Sequence, residues 1–475
     1  MSFRKNQLIE TLTFGLTFIY FGIFRYFLIP SGDDYFWYGE KGSYLMSHGF
    51  FSTLPIVGGS SNGRYLGNLL EIAMMRHLAI GILVFAFFWT LLLWTIYQLT
   101  GRNLKMLPIA LLLPFFMQNA FLNNILVWNN GFIIYVPSIS LVLSYLVICR
   151  SNPQLQSSWL MSVLAFFIAL AGGLFLENVT TLQIALAFLL IIFFRKNLQK
   201  HHFAYLLGSI AAAAIMFSNR SYYVGPTAYR QTTHDPIKIW QTFFDYTHFW
   251  LISFNWIVIV VMAVSLIILA LKSTVSTLTK TIIILCAITF GIYYSIIPLV
   301  FSKFNQNEIY AFTNMNHTLA TIDTVVSLLL IIFIAYCIYT FFKNDKFMWI
   351  YYLSAGISFG PMLIVISPVT SRGEFTAFIF IYLIVTSFLI KAIQELQINP
   401  LPITVILSIL LLFLAGNYQL KMYRNYQANL ERVNQDSFLY DNKQLTKHMP
   451  YRKFVVVNDQ LIQQDSTYWR LRLQK

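Results

Sequence analysis

The chain alternates long apolar runs with short polar breaks, and the length of the runs is the first informative feature. About twenty consecutive apolar residues suffice to cross a bilayer as a helix. Runs of this kind fall near 8–29, 78–99, 107–123, 132–149, 159–176, 179–194, 203–218, 250–271, 281–301, 322–342, 347–367, 375–391 and 401–417. They predict an all-α polytopic membrane protein with about thirteen transmembrane helices. The runs at 107–123, 179–194 and 203–218 are short. Within "LPIALLLPFFMQNAFLNN" two prolines and several polar residues predict a broken or re-entrant segment. Past 417 the apolar pattern stops, which divides the chain into a transmembrane domain, 1–417, and a small tail, 418–475. The β-branched run in "KFVVVNDQLIQQDSTYWRLRLQ" predicts a strand or two in that tail.

Charge then orients the helices. Arg4 and Lys5 precede the first run, which is too long for a signal peptide and predicts a retained helix with a cytoplasmic N-terminus. Every second loop is basic, with Arg102 and Lys105, Arg150, Arg195, Lys196 and Lys200, Lys272 and Lys280, Lys343 and Lys346, then Lys391. The alternation places 30–77, 124–131, 177–178, 219–249, 302–321, 368–374 and the tail outside. The expected location is a bacterial plasma membrane, with any soluble chemistry on the extracytoplasmic face.

Composition agrees and narrows the classes. The chain is 57% hydrophobic and only 11% charged, against roughly 25% charged in soluble domains. Its net charge of +14 is accounted for by basic cytoplasmic loops facing anionic lipid, so the expected contact is the bilayer and no nucleic acid. Cys149, Cys286 and Cys337 are far apart, and their spacing predicts neither a disulfide framework nor a zinc site. His48, His77, His234 and His317 fall on the outer side without metal-ligand spacing.

The polar residues with chemical potential concentrate in the outer segments. In "PSGDDYFWYGEKG", Asp33 and Asp34 stand side by side where the chain leaves the first run. A carboxylate raised in pKa by its neighbour and by apolar surroundings can act as a general base. The aromatic residues after it, Trp37 among them, offer stacking surfaces for a sugar or a lipid stem. An apolar stripe follows at Leu45, Met46, Phe50, Phe51 and Leu54, as in a helix lying on a membrane or in a buried amphipathic one. In "SSNGRYLGNLLEIAMMRHLA", Leu66, Leu69, Leu70 and Ala73 share one helical face, and Arg64, Asn68 and Glu71 share the opposite one. Arg64 suits a phosphate, since guanidinium pairs with its oxygens in a fork. Glu177 and Asn178 in "GGLFLENVTTLQ" sit at the tip of a tight helical hairpin. Arg372 and Glu374 in "SPVTSRGEFTAF" sit between two apolar runs, and Trp128, Gly131 and Tyr135 in "WNNGFIIYVP" mark another outer turn.

The order of "GDD", "NGRYLGNLL", "WNNGFIIYVP", "GGLFLENVTTLQ" and "SPVTSRGEF" after a first helix resembles bacterial multi-pass glycosyltransferases of the GT-C superfamily. It is most similar to a little-characterised branch related to the O-antigen glucosyltransferases. The resemblance implies an acidic catalytic residue in the first outer loop, 30–77, and a polyprenyl-phosphate sugar as donor. By it, Asp33 and Asp34 carry the catalytic role and Arg64 and Arg372 bind phosphate. Glu177, Asn178, Trp128, Tyr135 and Trp37 bind substrate. In this chain the Trp–Tyr stretch reads "WNNGFIIY", with the Tyr shifted from the branch's pattern. The implied activity moves the sugar to a cell-envelope glycan acceptor, such as teichoic acid or polysaccharide, by an inverting displacement. No cofactor is required, and the arginines leave room for a divalent metal without needing one. Two other classes fit the composition: a lipid or polysaccharide transporter, and a polysaccharide polymerase or ligase.

Overall fold

The computed structural model describes residues 2–48, 62–151, 158–219, 222–223, 232–301, 317–364, 371–434, 449–456 and 466–473. Among these residues the fold is all-helical. The N-terminal part holds α1 (Ser2–Tyr26), α2 (Asp33–Tyr38), α3 (Glu40–His48), α4 (Tyr65–Arg76) and α5 (Leu78–Leu99). Then come α6 (Asn129–Arg150), α7 (Trp159–Gly172), α8 (Glu177–Phe193), α9 (Lys200–Phe217) and α10 (Trp256–Lys272). The remainder is α11 (Thr277–Phe301), α12 (His317–Phe341), α13 (Lys346–Leu363), α14 (Phe375–Glu395), α15 (Leu401–Asn434) and α16 (Ser466–Leu473).

Eight helical stretches among the described residues are long and apolar enough to cross a membrane. They are Asn6–Tyr26, Leu78–Leu99, Asn129–Arg150, Pro236–Lys272, Thr277–Phe301, His317–Phe341, Ser371–Glu395 and Leu401–Val433. Trp159–Gly172 and Glu177–Phe193 are shorter apolar helices. The run at 107–123 is broken, as its prolines require. It consists of Leu107–Leu111, Leu113–Phe116, Asn119–Phe121 and a π-turn at Leu122–Leu126, with Pro108 and Pro114 each at the start of a short piece.

Burial sorts the helices into layers. In the apolar stretches of α14 and α6, 83% and 72% of residues are buried, whereas in α15 the figure is 0%. The first two therefore form the centre of the bundle, and α15 presents its leucines outward, as lipid contact demands. The basic loops gather at one end. There Arg102 pairs with Glu10 at 2.9 Å, Arg150 donates to the Leu99 carbonyl, Lys346 to that of Phe193 and Lys391 to that of Phe341. The segments around residues 33, 130, 177, 222 and 372 meet at the other end.

The tail departs from expectation. α15 continues without a break past 417 to Asn434. The described tail residues form a 3₁₀ turn at Arg452–Phe454 and helix α16 rather than strands, and 457–465 of the segment expected as strand lie outside the described residues. Its apolar residues find side chains to pack on instead of a strand edge. Val455, Tyr468 and Trp469 join Ile29, Met75 and Tyr426 in one buried cluster, and Val456 packs on Trp128. Trp469 Nε1 donates to Tyr35 Oη at 2.9 Å. The tail thus covers the same end of the bundle as α2. Phe50, Phe51 and Leu54 of the apolar stripe lie outside the described residues.

Candidate functional site

The turn between α1 and α2 is set by Gly32, whose φ of 57° and ψ of −116° suit glycine and not residues with a Cβ. Asp33 and Asp34 are therefore the first residues of α2, and consecutive helical side chains diverge by about 100°. Asp34 turns inward and is fully buried, and Asp33 is exposed. Asp34 accepts from the backbone N–H of Ser31 at 3.0 Å and of Asn130 at 2.9 Å. It also shares a hydrogen bond with the carboxyl group of Glu71. Asp33 Oδ2 accepts from Asn130 Nδ2 at 3.1 Å.

Burial dominates the electrostatics of the inner pair. It pushes Asp34 up to about 7, against the lowering effect of its two backbone donors and Arg25. Glu71 is raised well above the usual carboxylate range, by burial first and then by the charge of Asp34. Two buried carboxyl groups in contact hold one proton between them more readily than none. The guanidinium of Arg25 is buried beneath them. Lys41 lies over the rings of Phe36 at 4.1 Å and Trp37 at 5.1 Å. Burial lowers its ammonium to about 8 although Asp33 opposes the shift.

Helix α4 has its polarity reversed relative to a soluble amphipathic helix. Arg64, Asn68 and Glu71 face the protein interior, each less than 10% exposed, while Leu69 is 37% exposed. That orientation is stable when the outer medium is lipid and the inner partners satisfy the polar groups. Arg64 Nε lies 3.0 and 2.9 Å from the two oxygens of Glu177, and its terminal nitrogen is 2.8 Å from Oε2. Tyr222 Oη donates to the same carboxylate at 2.8 Å. Glu71 accepts from Asn129 Nδ2 at 3.0 Å.

The third element joins these two. Trp128 Nε1 donates to the Ser31 carbonyl at 3.1 Å, and the guanidinium of Arg372 stacks over the Trp128 ring at 4.8 Å. Asn178 Nδ2 reaches the Gly373 carbonyl at 3.4 Å. The sharp turn before α6 depends on Gly131, because a Cβ there would stand 1.7 Å from the Asn124 carbonyl oxygen. Contacts thus run from Asp33 through Asn130 and Trp128 to Arg372, and from Asn178 through Glu177 to Arg64.

Of the residues singled out in the sequence, Asp33, Asp34, Trp128, Arg372, Asn178, Glu177 and Arg64 belong to this one network. Trp37 stands at its edge, packed with Leu45 and Ile72. Tyr135 does not join it, and its side chain lies in the central hydrophobic core. Sequence reasoning passed over Asn129, Asn130, Lys41, Arg25 and Tyr222. The two asparagines were inside a quoted motif, and a doubled amide at the mouth of a buried helix is the signal that could have found them.

No known protein family matches the chain, and no curated protein or solved structure is significantly similar to it.

A second polar group lies within the helical bundle. Asp323 of α12 accepts from Ser253 at 2.6 Å and from Tyr293 at 2.8 Å, and His248 Nε2 is 3.6 Å away. Glu374 is buried beside Thr247. An apolar cavity of about 320 Å³ adjoins this group, lined by residues including Leu251, Ile252, Leu330, Tyr352, Phe359 and Ile384. Leu251 belongs to a short helix that packs against the turn carrying Arg372.

Proposed function

We propose that this chain is a membrane glycosyltransferase that moves a sugar from a polyprenyl-phosphate donor to a hydroxyl of a cell-envelope glycan, on the extracytoplasmic face. The observation that carries the reading is that one short loop holds both an exposed carboxylate, Asp33 bonded to Asn130, and a cation on an aromatic shelf, Arg372 on Trp128. A transfer of this kind needs a base for the attacking hydroxyl and a positive group for the departing phosphate. Asp33 takes the acceptor proton as the hydroxyl oxygen attacks the anomeric carbon, and the bond to the polyprenyl phosphate breaks with inversion. Arg372 receives the phosphate charge. Arg64 is already paired with Glu177, so its role is to position that hairpin and Asn178. The apolar cavity beside the Arg372 turn suits the proximal part of an isoprenoid chain. The full architecture in this reading has about thirteen spans, with the tail and the first loop both outside.

Among the described residues no three potential metal donors cluster around Asp33, and the reading uses arginine for charge neutralisation. The direct test is incubation of the purified chain with a polyprenyl-phosphate sugar and an envelope glycan. Release of polyprenyl phosphate that depends on the acceptor supports the reading, and its absence with a competent acceptor overturns it.

One observation favours transport instead. Buried His248 lies on an interrupted helical segment, with Asp323 of the continuous α12 and Glu374 of the turn before α14 buried within the bundle, and ion-coupled carriers place charges beside such breaks. Asp323→Asn separates the two: it should abolish uphill substrate movement in a carrier and leave sugar transfer measurable in an enzyme.

A further inference from the structure

The opposite end of α6 carries a group of side chains that the transfer reaction does not use. Cys149 lies twenty residues beyond Asn129 on that helix, which is about 30 Å of α-helix from the acidic turn. Against it stands the first turn of α9, with His201 and His202. We propose that Cys149, His201 and His202 bind a thiophilic divalent metal ion of the zinc type.

Donor geometry is the first argument. One ligand atom from each of the three residues lies within 4.8 Å of the others. A tetrahedral ion with bonds of about 2.0 Å to nitrogen and 2.3 Å to sulfur holds its donors about 3.5 Å apart. Side-chain rotations of about 1 Å at the donor atoms therefore close the site. All three residues are buried, with exposures of 5%, 0% and 2%, so the ion would be shielded from bulk water.

The second argument is an unused lone pair. His201 Nε2 is buried and has no hydrogen-bond partner. Its other ring nitrogen, Nδ1, is 3.3 Å from Tyr145 Oη. With the proton on Nδ1 shared with that phenol, Nε2 presents its lone pair to an ion. His202 follows the same logic. Its Nδ1 is 3.2 Å from the Gln199 carbonyl and 3.1 Å from the Gln199 nitrogen. As it stands Nδ1 accepts the Gln199 N–H, so binding an ion through Nε2 moves the ring proton to Nδ1, where the Gln199 carbonyl accepts it. Metal-binding imidazoles are held in this way, by a bond from the far nitrogen to a carbonyl or hydroxyl. Tyr145 also hydrogen-bonds Cys149, four residues on along the same face of α6, so one phenol contacts both Cys149 and His201.

Ligand chemistry selects the metal class. One thiolate with two imidazoles suits zinc and similar ions better than calcium or magnesium, which prefer oxygen. Binding replaces the thiol proton, which passes to solvent, and forms one S–metal and two N–metal bonds. Three protein ligands leave a fourth position for water or a small ligand. The ion would tie α6 to α9 at the basic end of the bundle.

Cobalt provides the probe. Full-length protein, purified in detergent and stripped with chelator, should take up one Co²⁺ per chain and develop a thiolate-to-cobalt charge-transfer band that Zn²⁺ displaces. A Cys286→Ser/Cys337→Ser double variant should keep the band, because Cys149 is then the sole thiol. Cys149→Ser should lose the band, and His201→Ala should weaken uptake roughly 100-fold or more. Tyr145→Phe should weaken it roughly 10-fold. Failure of the wild-type protein to take up one ion, absence of the band from the double variant, or a band that survives Cys149→Ser overturns the proposal. None of these readouts depends on sugar transfer.

Discussion

Asp33→Asn and Asp34→Asn should fail in opposite ways, although they change neighbouring residues by the same atoms. At Asp34 the carboxylate accepts two backbone N–H groups, at 3.0 and 2.9 Å, in a fully buried position. An amide has one acceptor oxygen, so one of those donors loses its partner. A buried donor left unsatisfied costs about 1–3 kcal/mol. Asp34→Asn should therefore lower the unfolding free energy by about 2 kcal/mol and leave turnover per folded molecule within a few-fold of wild type. At Asp33 the side chain is exposed, bonded to Asn130 and close enough to Lys41 to interact with its charge. The amide there should cost under about 0.5 kcal/mol of stability. Removing the base should slow transfer by roughly 10²- to 10⁴-fold. Two assays on the same preparations separate the effects: thermal unfolding followed by intrinsic fluorescence, and radiolabelled sugar transfer normalised to folded protein. The reasoning is refuted if Asp33→Asn keeps transfer within twofold of wild type, or if a folded Asp34→Asn loses it.

Stability should fall as pH rises between about 4 and about 7. The folded Asp34 has its pKa raised to about 7 by burial, with Glu71 raised beside it, so the native state holds more protons than the unfolded chain in that window. Arg25, Glu71 and the two backbone donors are the groups that set this slope, and Asp34→Asn should flatten it in a pH series of unfolding temperatures. For the Arg64–Glu177 pair, Glu177→Ala should destabilise by about 3 kcal/mol because it strands a buried guanidinium. A double variant, Arg64→Met with Glu177→Leu, should recover much of that loss, and a coupling energy under about 0.5 kcal/mol would show that the pair acts independently. Arg372→Lys keeps the charge but gives up the planar stack on Trp128. It should reduce transfer clearly with little change in stability, and full activity in Arg372→Ala would reduce this residue to a headgroup contact.

Much of the helical scaffold was legible because length and hydropathy are local properties. The apolar stretches at 78–99, 281–301 and 401–417 reappear in α5, α11 and α15, since twenty apolar residues have one stable form in lipid. The prolines at 108 and 114 announced the break in the third run, and the structure has it. What local pattern could not show was which polar face turns inward. On α4 the sequence presents two faces with nearly equal claims, and only the arrival of Glu177 and Asn129 from distant segments makes the polar one the buried one. The described start of the β-branched run departs from the expected strand for a similar reason. A β-branched run forms a strand only when an edge is there to pair with. Here Val455 and Val456 join clusters with Ile29, with Met75 of α4 and with Trp128 instead. Cys149 and the two histidines are some fifty positions apart, so spacing rules for metal ligands had no way to join them.

The doubled aspartate is best understood as a division of labour forced by helix geometry. Where α1 ends, the chain must reverse direction, and the main-chain N–H groups of Ser31 and Asn130 need acceptors. A carboxylate fills that need, but one that is buried, with two backbone donors and a neighbouring carboxyl in contact, is a poor base for an external hydroxyl. The adjacent residue on α2 points about 100° away. It meets solvent and the amide of Asn130, whose backbone is already fixed by Asp34. One asparagine therefore couples the two acids, its main chain bound to the buried one and its side chain to the exposed one. In the proposed transfer, the buried acid fixes the position from which the exposed acid would act. The rigidity of that position comes from the turn after α1, from α4 and from α6 together, through Ser31, Glu71 and Asn130. If the proposed transfer holds, its base needs such an anchor, and a single aspartate in this turn could supply the anchor or the base but not both.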